Sequence, residues 1–376
     1  MSRFNHILLA AACFSLVVPA WAQHPAPRPL LATADQPADI DPETTAGERT
    51  ELRRTVVKSM SADPKMTLAI ENQFGDVAVS VWERAEIRVD MTIISSADDP
   101  QRARMALNAV TLDEQRQGDT YLFRTVIAGG TDTNWKRRDR TNFLRVDYRI
   151  SMPKTNSLSI KNKFGNTILP DFWAPLSVES SFGNVSGAAL NSLETNIRSS
   201  FGNVSLRDVA HGTLTMSFGD LDINSGNVLT INQTHGKLNI GEANRVEART
   251  SYGEALIGAI KGSGKFKTNY ARQFRVGRIG PAANQIDVES NYSSVALPLQ
   301  SVPNCDFNVT MTNGTFNVPE LANLRMTVPP PTPPVGALAP MPPRPPRARH
   351  YAGQVGTGAG PRIRVVATYG EVRFNK

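Results

Sequence analysis

Short runs of alternating apolar and polar residues recur along the second half of the chain. Val204-Ser205-Leu206, Leu221-Asp222-Ile223 and Leu238-Asn239-Ile240 each place two apolar side chains on one face, and Leu214-Thr215-Met216 and Val228-Leu229-Thr230-Ile231 do the same. Alternation with period 2 is what a half-buried strand requires. Between the runs a three-residue signature repeats: Phe164-Gly165-Asn166, Phe182-Gly183-Asn184, Phe201-Gly202-Asn203 and Phe218-Gly219-Asp220. It relaxes to His235-Gly236-Lys237, returns as Tyr252-Gly253-Glu254, and degenerates to Tyr270-Ala271, Tyr292-Ser293 and Asn313-Gly314. The last copy is Tyr369-Gly370-Glu371, and an isolated early copy is Phe74-Gly75-Asp76.

From Phe164 to Tyr270 the copies are 18, 19, 17, 17, 17 and 18 residues apart. A spacing held that closely predicts stacked coils. No segment of helical period intervenes, which excludes leucine-rich and ankyrin-type arrays. The expected fold is mainly all-β: a single parallel β-solenoid (β-helix) of 17–19-residue coils over 157–327. Equivalent residues of neighbouring coils would stand ~4.8 Å apart, so the aromatic residues would form a ladder. Glycine after the ring would supply a positive φ, and Asn or Asp after it would bond its own backbone in the corner.

The preceding stretch reads differently. Val56-Val57 and Met66 to Ile70 look like strands, and Ile87 to Ile94 alternates. Asp98-Asp99-Pro100 offers a helix start, with Ala103, Ala106, Leu107 and Val110 as one apolar face. Tyr121 to Ile127 and Phe143 to Met152 return to strand patterning. Residues 51–156 are therefore expected to be a β-rich lead-in module with one short helix, covering one end of the stack.

Toward the other end, 328–361 becomes rich in Pro, Gly and Arg, with Arg344, Arg347 and Arg349 among the prolines. Proline cannot donate to a ladder, which predicts an extended loop insertion. Residues 362–376 then return, through Ile363 to Ala367, as a closing strand expected to form the last rung.

The N-terminus changes where this fold is expected to operate. Arg3 and His6 precede the apolar run Ile7 to Ala20 and the small-residue pattern Ala20-Trp21-Ala22. That is the order of a secretory signal peptide over 1–22, followed by a Pro/Ala/Thr/Asp-rich flexible leader over 23–50. A lipoprotein signal around Cys13 fits less well, because Ala10 stands where a bulky aliphatic residue is usual. The apolar core is shorter than the ~20 residues of a membrane span. Periplasm or cell surface is the expected location. Loss of Cys13 would leave Cys305 alone, on one face with Phe307, Val309 and Met311, as an inert buried thiol.

Charge adds little. The net charge of +7 is a mild excess over 376 residues. Its densest cluster, Lys136-Arg137-Arg138 with Arg140, lacks any nucleic-acid motif and reads as a solvated loop.

The run from Val56 through Asn72-Gln73-Phe74-Gly75-Asp76-Val77-Ala78-Val79 to Trp82-Glu83-Arg84, with Ile87-Arg88-Val89, resembles the start of an adhesin-like domain family of unknown function common in Bacteroidetes envelopes. The repeated ring–Gly–Asp/Asn turns continue that resemblance over 51–325 and 362–376. It implies a β-solenoid and an envelope location. It supplies no functional residues to carry over.

Catalytic groups do not converge. Asp220 and Asp222 share a strand, but Asp220 fills the corner place that Asn holds elsewhere. His24, His211, His235 and His350 lack metal-ligand spacing, and Gly356-Thr357-Gly358-Ala359-Gly360 lacks a strand–helix context for phosphate. No cofactor or metal is expected. Three functional readings follow: a non-enzymatic scaffold whose Ser/Thr/Asn-rich faces contact an envelope protein or glycan; an assembly or regulatory partner acting through the Pro/Arg loop; and a carbohydrate-active enzyme.

Overall fold

The computed structural model describes residues 42–45, 49–128, 143–299, 302–318, 323–327 and 348–375. The signal-peptide and Cys13 readings, His24, the Lys136–Arg140 cluster, Arg344, Arg347 and most of the Pro-rich segment lie outside these residues. Within them the chain is mainly strand, all in one large sheet, with one helix.

The N-terminal region contains β1 (Pro42–Thr45), β2 (Arg49–Ser61), β3 (Thr67–Asn72), β4 (Val77–Trp82), β5 (Glu86–Ala97), α1 (Pro100–Asn108), β6 (Val110–Gln117), β7 (Thr120–Ile127) and β8 (Phe143–Pro153). Strand structure thus reaches into the 23–50 stretch expected to be a flexible leader, because β1 pairs with the start of β2, Thr44 opposite Thr50. Asp99 caps α1 by accepting the Gln101 N–H at 2.9 Å, and Ala103 and Leu107 are buried beneath the helix. Strand order departs from chain order here. β7 lies parallel to β3, and β8 lies parallel to β4 with Val77 opposite Tyr148. β6 then pairs antiparallel with β7, and β5 with β8, followed by β2. Antiparallel strands therefore finish this end of both parallel ladders, where an open edge would invite association.

The repetitive region contains β9 (Ser157–Asn162), β10 (Thr167–Leu169), β11 (Leu176–Ser181), β12 (Val185–Leu190), β13 (Thr195–Ser200), β14 (Val204–Met216), the continuous β15 (Leu221–Asn269), β16 (Gln273–Ile279), β17 (Gln285–Asn291) and β18 (Val295–Pro298). Two parallel ladders run through it. One passes from β3 through β9, β11 and β13 to the end of β14. The other passes from β4 through β10 and β12 to the start of β14. β14 opposes β15 at a constant 17-residue offset, Val204 beside Leu221 and Leu214 beside Ile231. The alternating residues point inward from both ladders: Leu158, Val178, Ile197 and Leu214 from one, Val79, Val185, Val204 and Ile223 from the other, all buried in one core.

The C-terminal region contains β19 (Cys305–Thr312), β20 (Thr315–Asn317), β21 (Asn323–Thr327), β22 (Arg349–Val355), β23 (Arg362–Thr368) and β24 (Glu371–Asn375). Two expectations need correction. Residues 349–355, read as loop, form β22, which pairs antiparallel with both β19 and β21. This stretch lies beyond the prolines and carries Tyr351, which packs against the core. The C-terminal strands are also not the last rung. β23 is parallel to β17 on one side and β19 on the other, with Arg364 beside both Asp287 and Asn308. β24 likewise lies between β18 and β20, with Val372 beside both Val295 and Phe316. The chain passes over one level between Pro298 and Cys305, and β23 and β24 fill that level.

Candidate functional site

The ring–Gly–Asx turns come together in a single column. Ten rings stack face to face in the order Phe74, Phe164, Phe182, Phe201, Phe218, His235, Tyr252, Tyr270, Tyr292 and Tyr369, with centroids 4.7–5.3 Å apart and planes within 16° of parallel. Each such pair contributes about 0.5–1.5 kcal/mol beyond its area burial. The left-handed backbone sits on the rings themselves: φ is 58° at Phe182 and Phe201, 59° at His235, and 50–54° at Tyr252, Tyr270, Tyr292 and Tyr369. The ring rather than the glycine thus takes the left-handed conformation at most turns, while the expected positive φ on glycine is found at Gly75 (144°), Gly219 (128°) and Gly236 (126°). A non-glycine residue held in the left-handed conformation costs on the order of 1–2 kcal/mol, which stacking on two neighbours offsets.

At every turn that carries it, glycine is needed for a second reason. A Cβ on Gly165, Gly183, Gly202, Gly219, Gly236 or Gly253 would come within 3.0 Å of the carbonyl oxygen of the glycine one level before it. Backbone stands on backbone here, leaving no space for a side chain. Gly370 makes the same close approach to Ser293, and Gly314 to Gly370.

The Asn and Asp residues bond between levels. Asp76 N–H donates to Asp147 Oδ1 at 2.9 Å, and Asn166 N–H to Asp76 Oδ1 at 2.8 Å. Asn184 N–H donates to Asn166 Oδ1 at 3.1 Å, Asn203 N–H to Asn184 Oδ1 at 2.9 Å, and Asp220 N–H to Asn203 Oδ1 at 2.9 Å. Lys237 N–H closes the run on Asp220 Oδ1 at 2.8 Å. Each side chain thus supplies the acceptor that a corner amide would otherwise lack.

A further column, absent from the sequence reading, lies two residues before eight of the ten rings. Asn72, Asn162, Ser180, Ser199, Gln233, Thr250, Thr268 and Ser290 are buried polar residues at this place. Asn72 Nδ2 donates to Gly75 O at 3.2 Å and Val146 O at 2.9 Å, Ser180 Oγ to Gly183 O at 3.1 Å, and Gln233 Nε2 to Gly219 O at 2.9 Å. The available signal was a polar residue recurring where the alternation calls for an apolar one.

Seen from outside, the ladder is a stripe of ring edges. Phe182 and Phe201 are each 51% exposed, Tyr252 53% and Tyr270 50%. Stacking covers the ring faces, so the rims meet solvent. The stripe changes chemistry along its length, from phenyl rings up to Phe218, through the imidazole of His235, to four successive phenols. Beyond Lys163, uncharged polar side chains flank it on one side, at Ser181, Ser200, Ser217, Thr234, Ser251, Asn269 and Asn291; the Asn/Asp column flanks the other as far as Asp220, and Lys237, Glu254, Arg272 and Glu371 continue it. Farther out on the same sheet lies a charged patch in which Lys265 pairs with Glu247 at 3.8 Å and Lys267 with Glu289 at 3.5 Å.

Groups with catalytic potential stay dispersed. Among the described residues no three His, Cys, Asp or Glu side chains gather to hold a metal. His235 is sandwiched in the ladder, and His350 Nδ1 lies 3.1 Å from Thr310 Oγ1. Asp220 accepts the Lys237 amide, and Asp222 Oδ1 accepts from Asn239 at 3.0 Å. Cys305 is buried, and burial pushes its thiol up to about 11. The amide and hydroxyl of Thr357, in the glycine-rich turn, donate to Asn304 Oδ1 at 2.8 and 3.0 Å. No helix among the described residues is long and apolar enough to cross a membrane.

No protein-family model matches the chain, and no curated protein matches it. Among solved structures, the chain is similar to a candidate adhesin from Bacteroides fragilis NCTC 9343, at 10% identity and a TM-score of 0.30, covering 86% of this chain and 97% of that one. It is similar to a candidate cell adhesion protein from Clostridium sporogenes ATCC 15579, at 9% identity and a TM-score of 0.17, covering 85% and 99%. A candidate adhesin from Parabacteroides merdae ATCC 43184 matches at 10% identity and a TM-score of 0.24, covering 86% and 96%.

Proposed function

We propose that this chain is an exported, non-enzymatic envelope protein, an adhesin-like β-solenoid whose outer stripe binds a linear glycan or protein segment, with a glycan favoured. The 51–156 region serves as its lead-in cap, and the 157–327 coils with the C-terminal strands carry the surface. One observation bears most of the weight: a half-exposed ladder of ten rings bordered on both sides by polar columns. A repetitive surface of ring rims, hydroxyls and amides suits a ligand that is itself extended and repetitive. The charges that border the stripe are of both signs, Asp76, Asp220, Glu254 and Glu371 against Lys163, Lys237 and Arg272, so no continuous basic track favours a strongly acidic chain over a polyhydroxylated one. Dispersed carboxylates and histidines support a binding role over the carbohydrate-active alternative, since glycoside cleavage needs two carboxyl groups flanking one bond.

The test is binding of residues 23–376 to a glycan array and to isolated envelope fractions. The comparison is a variant carrying Tyr252→Phe, Tyr270→Phe and Tyr292→Phe, which keeps the stack and removes three hydroxyls. At least a tenfold loss of affinity with an unchanged melting curve is expected. Equal binding by both proteins would exclude the stripe as the contact. Turnover of any bound glycan would favour the enzyme reading, and binding lost only on deletion of 328–347 would favour the Pro/Arg segment.

A further inference from the structure

The last strands occupy an interior level of the sheet, and an interior level has two edges to satisfy. β23 makes seven register pairs with β17, from Gln285–Arg362 to Asn291–Thr368, and seven with β19, from Asp306–Arg362 to Thr312–Thr368. Without it, both neighbouring strands would present unpaired N–H and C=O groups, which template pairing with another chain. The fill is specific to this segment. Ile363, Val365, Ala367, Val372 and Phe374 are buried. Phe374 meets Phe307 edge-on at 5.2 Å and Phe316 at 5.1 Å, and Tyr369 continues the ring ladder on Tyr292 at 4.7 Å. Arg362 and Arg364 stand in register between Gln285 and Asp287 on one side and Asp306 and Asn308 on the other. Direct pairing of β17 with β19 would instead bring acidic residues of both strands close together.

We infer that 349–375 is an exchangeable strand unit, and that the same unit from a second copy of this chain can fill the slot, giving strand-swapped assemblies. Residues 328–347 join it to β21, and a segment of that length spans up to roughly 65 Å when extended. A second copy carries an identical donor for an identical slot, so exchange conserves every strand pair; such exchange is a low-cost route to dimers. The inference rests on strand order alone and stands whether or not the ring stripe binds a glycan.

Two full-length populations test it in a Cys13→Ala, Cys305→Ala background. One carries Glu289→Cys and the other Val366→Cys, positions that face each other across β17 and β23. Neighbouring strands lie ~4.8 Å apart, within the Cα range of a disulfide. The two are mixed, oxidised mildly and run without reductant. A control mixture pairs Glu289→Cys with Ser181→Cys, and the double variant in one chain reports that the fold and slot are intact. Exchange predicts a cross-linked heterodimer that rises with protein concentration to at least tenfold over the control. A double variant that closes within its own chain, together with a mixture at control level, would overturn the exchange. Failure of the double variant to close would overturn the slot itself.

Discussion

Asn203 donates its backbone N–H to the side-chain oxygen of Asn184, 2.9 Å away and one level earlier in the stack. The bond makes the Asx residue of each turn an acceptor for the next turn, so a corner is completed only when its neighbour is in register. Replacing Asn184 by Ala removes that acceptor and is expected to cost about 1 kcal/mol in urea unfolding. Asn184→Asp keeps the oxygen and should stay within about 0.5 kcal/mol of the parent. Equal losses in both variants would show that the side-chain oxygen contributes nothing.

The glycine after the ring should be far less replaceable than a glycine with unusual φ in open space. Gly202→Ala forces a Cβ onto the Gly183 carbonyl, whereas Gly118, at φ 58°, has nothing within 4 Å of its added Cβ. Gly202→Ala is expected to lose more than about 3 kcal/mol, in the range of severe core defects. Gly118→Ala should lose about 1 kcal/mol, through backbone strain alone. Thermal and urea melts of the two variants give the comparison.

The buried polar column tolerates substitution unevenly. Met216, Ala367 and Met311 stand at the place that Ser199 holds in its own level, and the Ser199 bond to Gly202 O is long at 3.5 Å. Ser199→Ala should cost under about 1 kcal/mol. Asn72 bonds two carbonyls and accepts the Thr125 hydroxyl at 3.1 Å. Asn72→Ala leaves those buried groups unpaired and should cost about 2–4 kcal/mol. Chemical denaturation of both separates them.

Cys305 predicts an alkaline signature. An unfolded thiol ionises near ~8.5, while burial raises the folded one to about 11. Below the lower value both states keep the proton, and the stabilising difference is fully present. As pH rises toward 11, the unfolded chain releases a proton that the fold retains, so stability falls by up to about 1.4 kcal/mol per pH unit. Unfolding free energies of the parent and Cys305→Ala, measured from pH 8 to 11, should converge as pH rises. Parallel curves would contradict the buried thiol's part in this linkage.

Much of the strand content was legible because one-face alternation and a 17–19-residue spacing are local properties of the chain. The helix was legible from Asp99 and Pro100 for the same reason. Strand order at the ends was not, because spacing reports what repeats and not which level a segment enters. Nothing in the residues around Arg362 says that they lie between β17 and β19; only the match of Arg364 to Asp287 hints at it. The left-handed rings were missed because glycine is the usual residue at positive φ. At most turns here the glycine serves a close backbone approach and the ring, held by its neighbours, takes the strained conformation; Gly75, Gly219 and Gly236 combine the close approach with a positive φ of their own. The exposed rims were missed because recurrence was read as architecture alone.

The account depends on successive ring–Gly–Asx turns standing one level apart in register, and a designed disulfide tests this most directly. Ser181 and Ser200 are register partners just before their rings. In a Cys305→Ala background, Ser181→Cys with Ser200→Cys should close to a disulfide under mild oxidation, leaving the circular dichroism spectrum unchanged and raising the melting temperature. Ser181→Cys with Ser217→Cys, two levels apart and so roughly 9.6 Å from each other, should remain reduced. Closure of the two-level pair at the rate of the one-level pair, or failure of the one-level pair to close in a folded protein, would contradict the stacked register on which the exposed ladder depends.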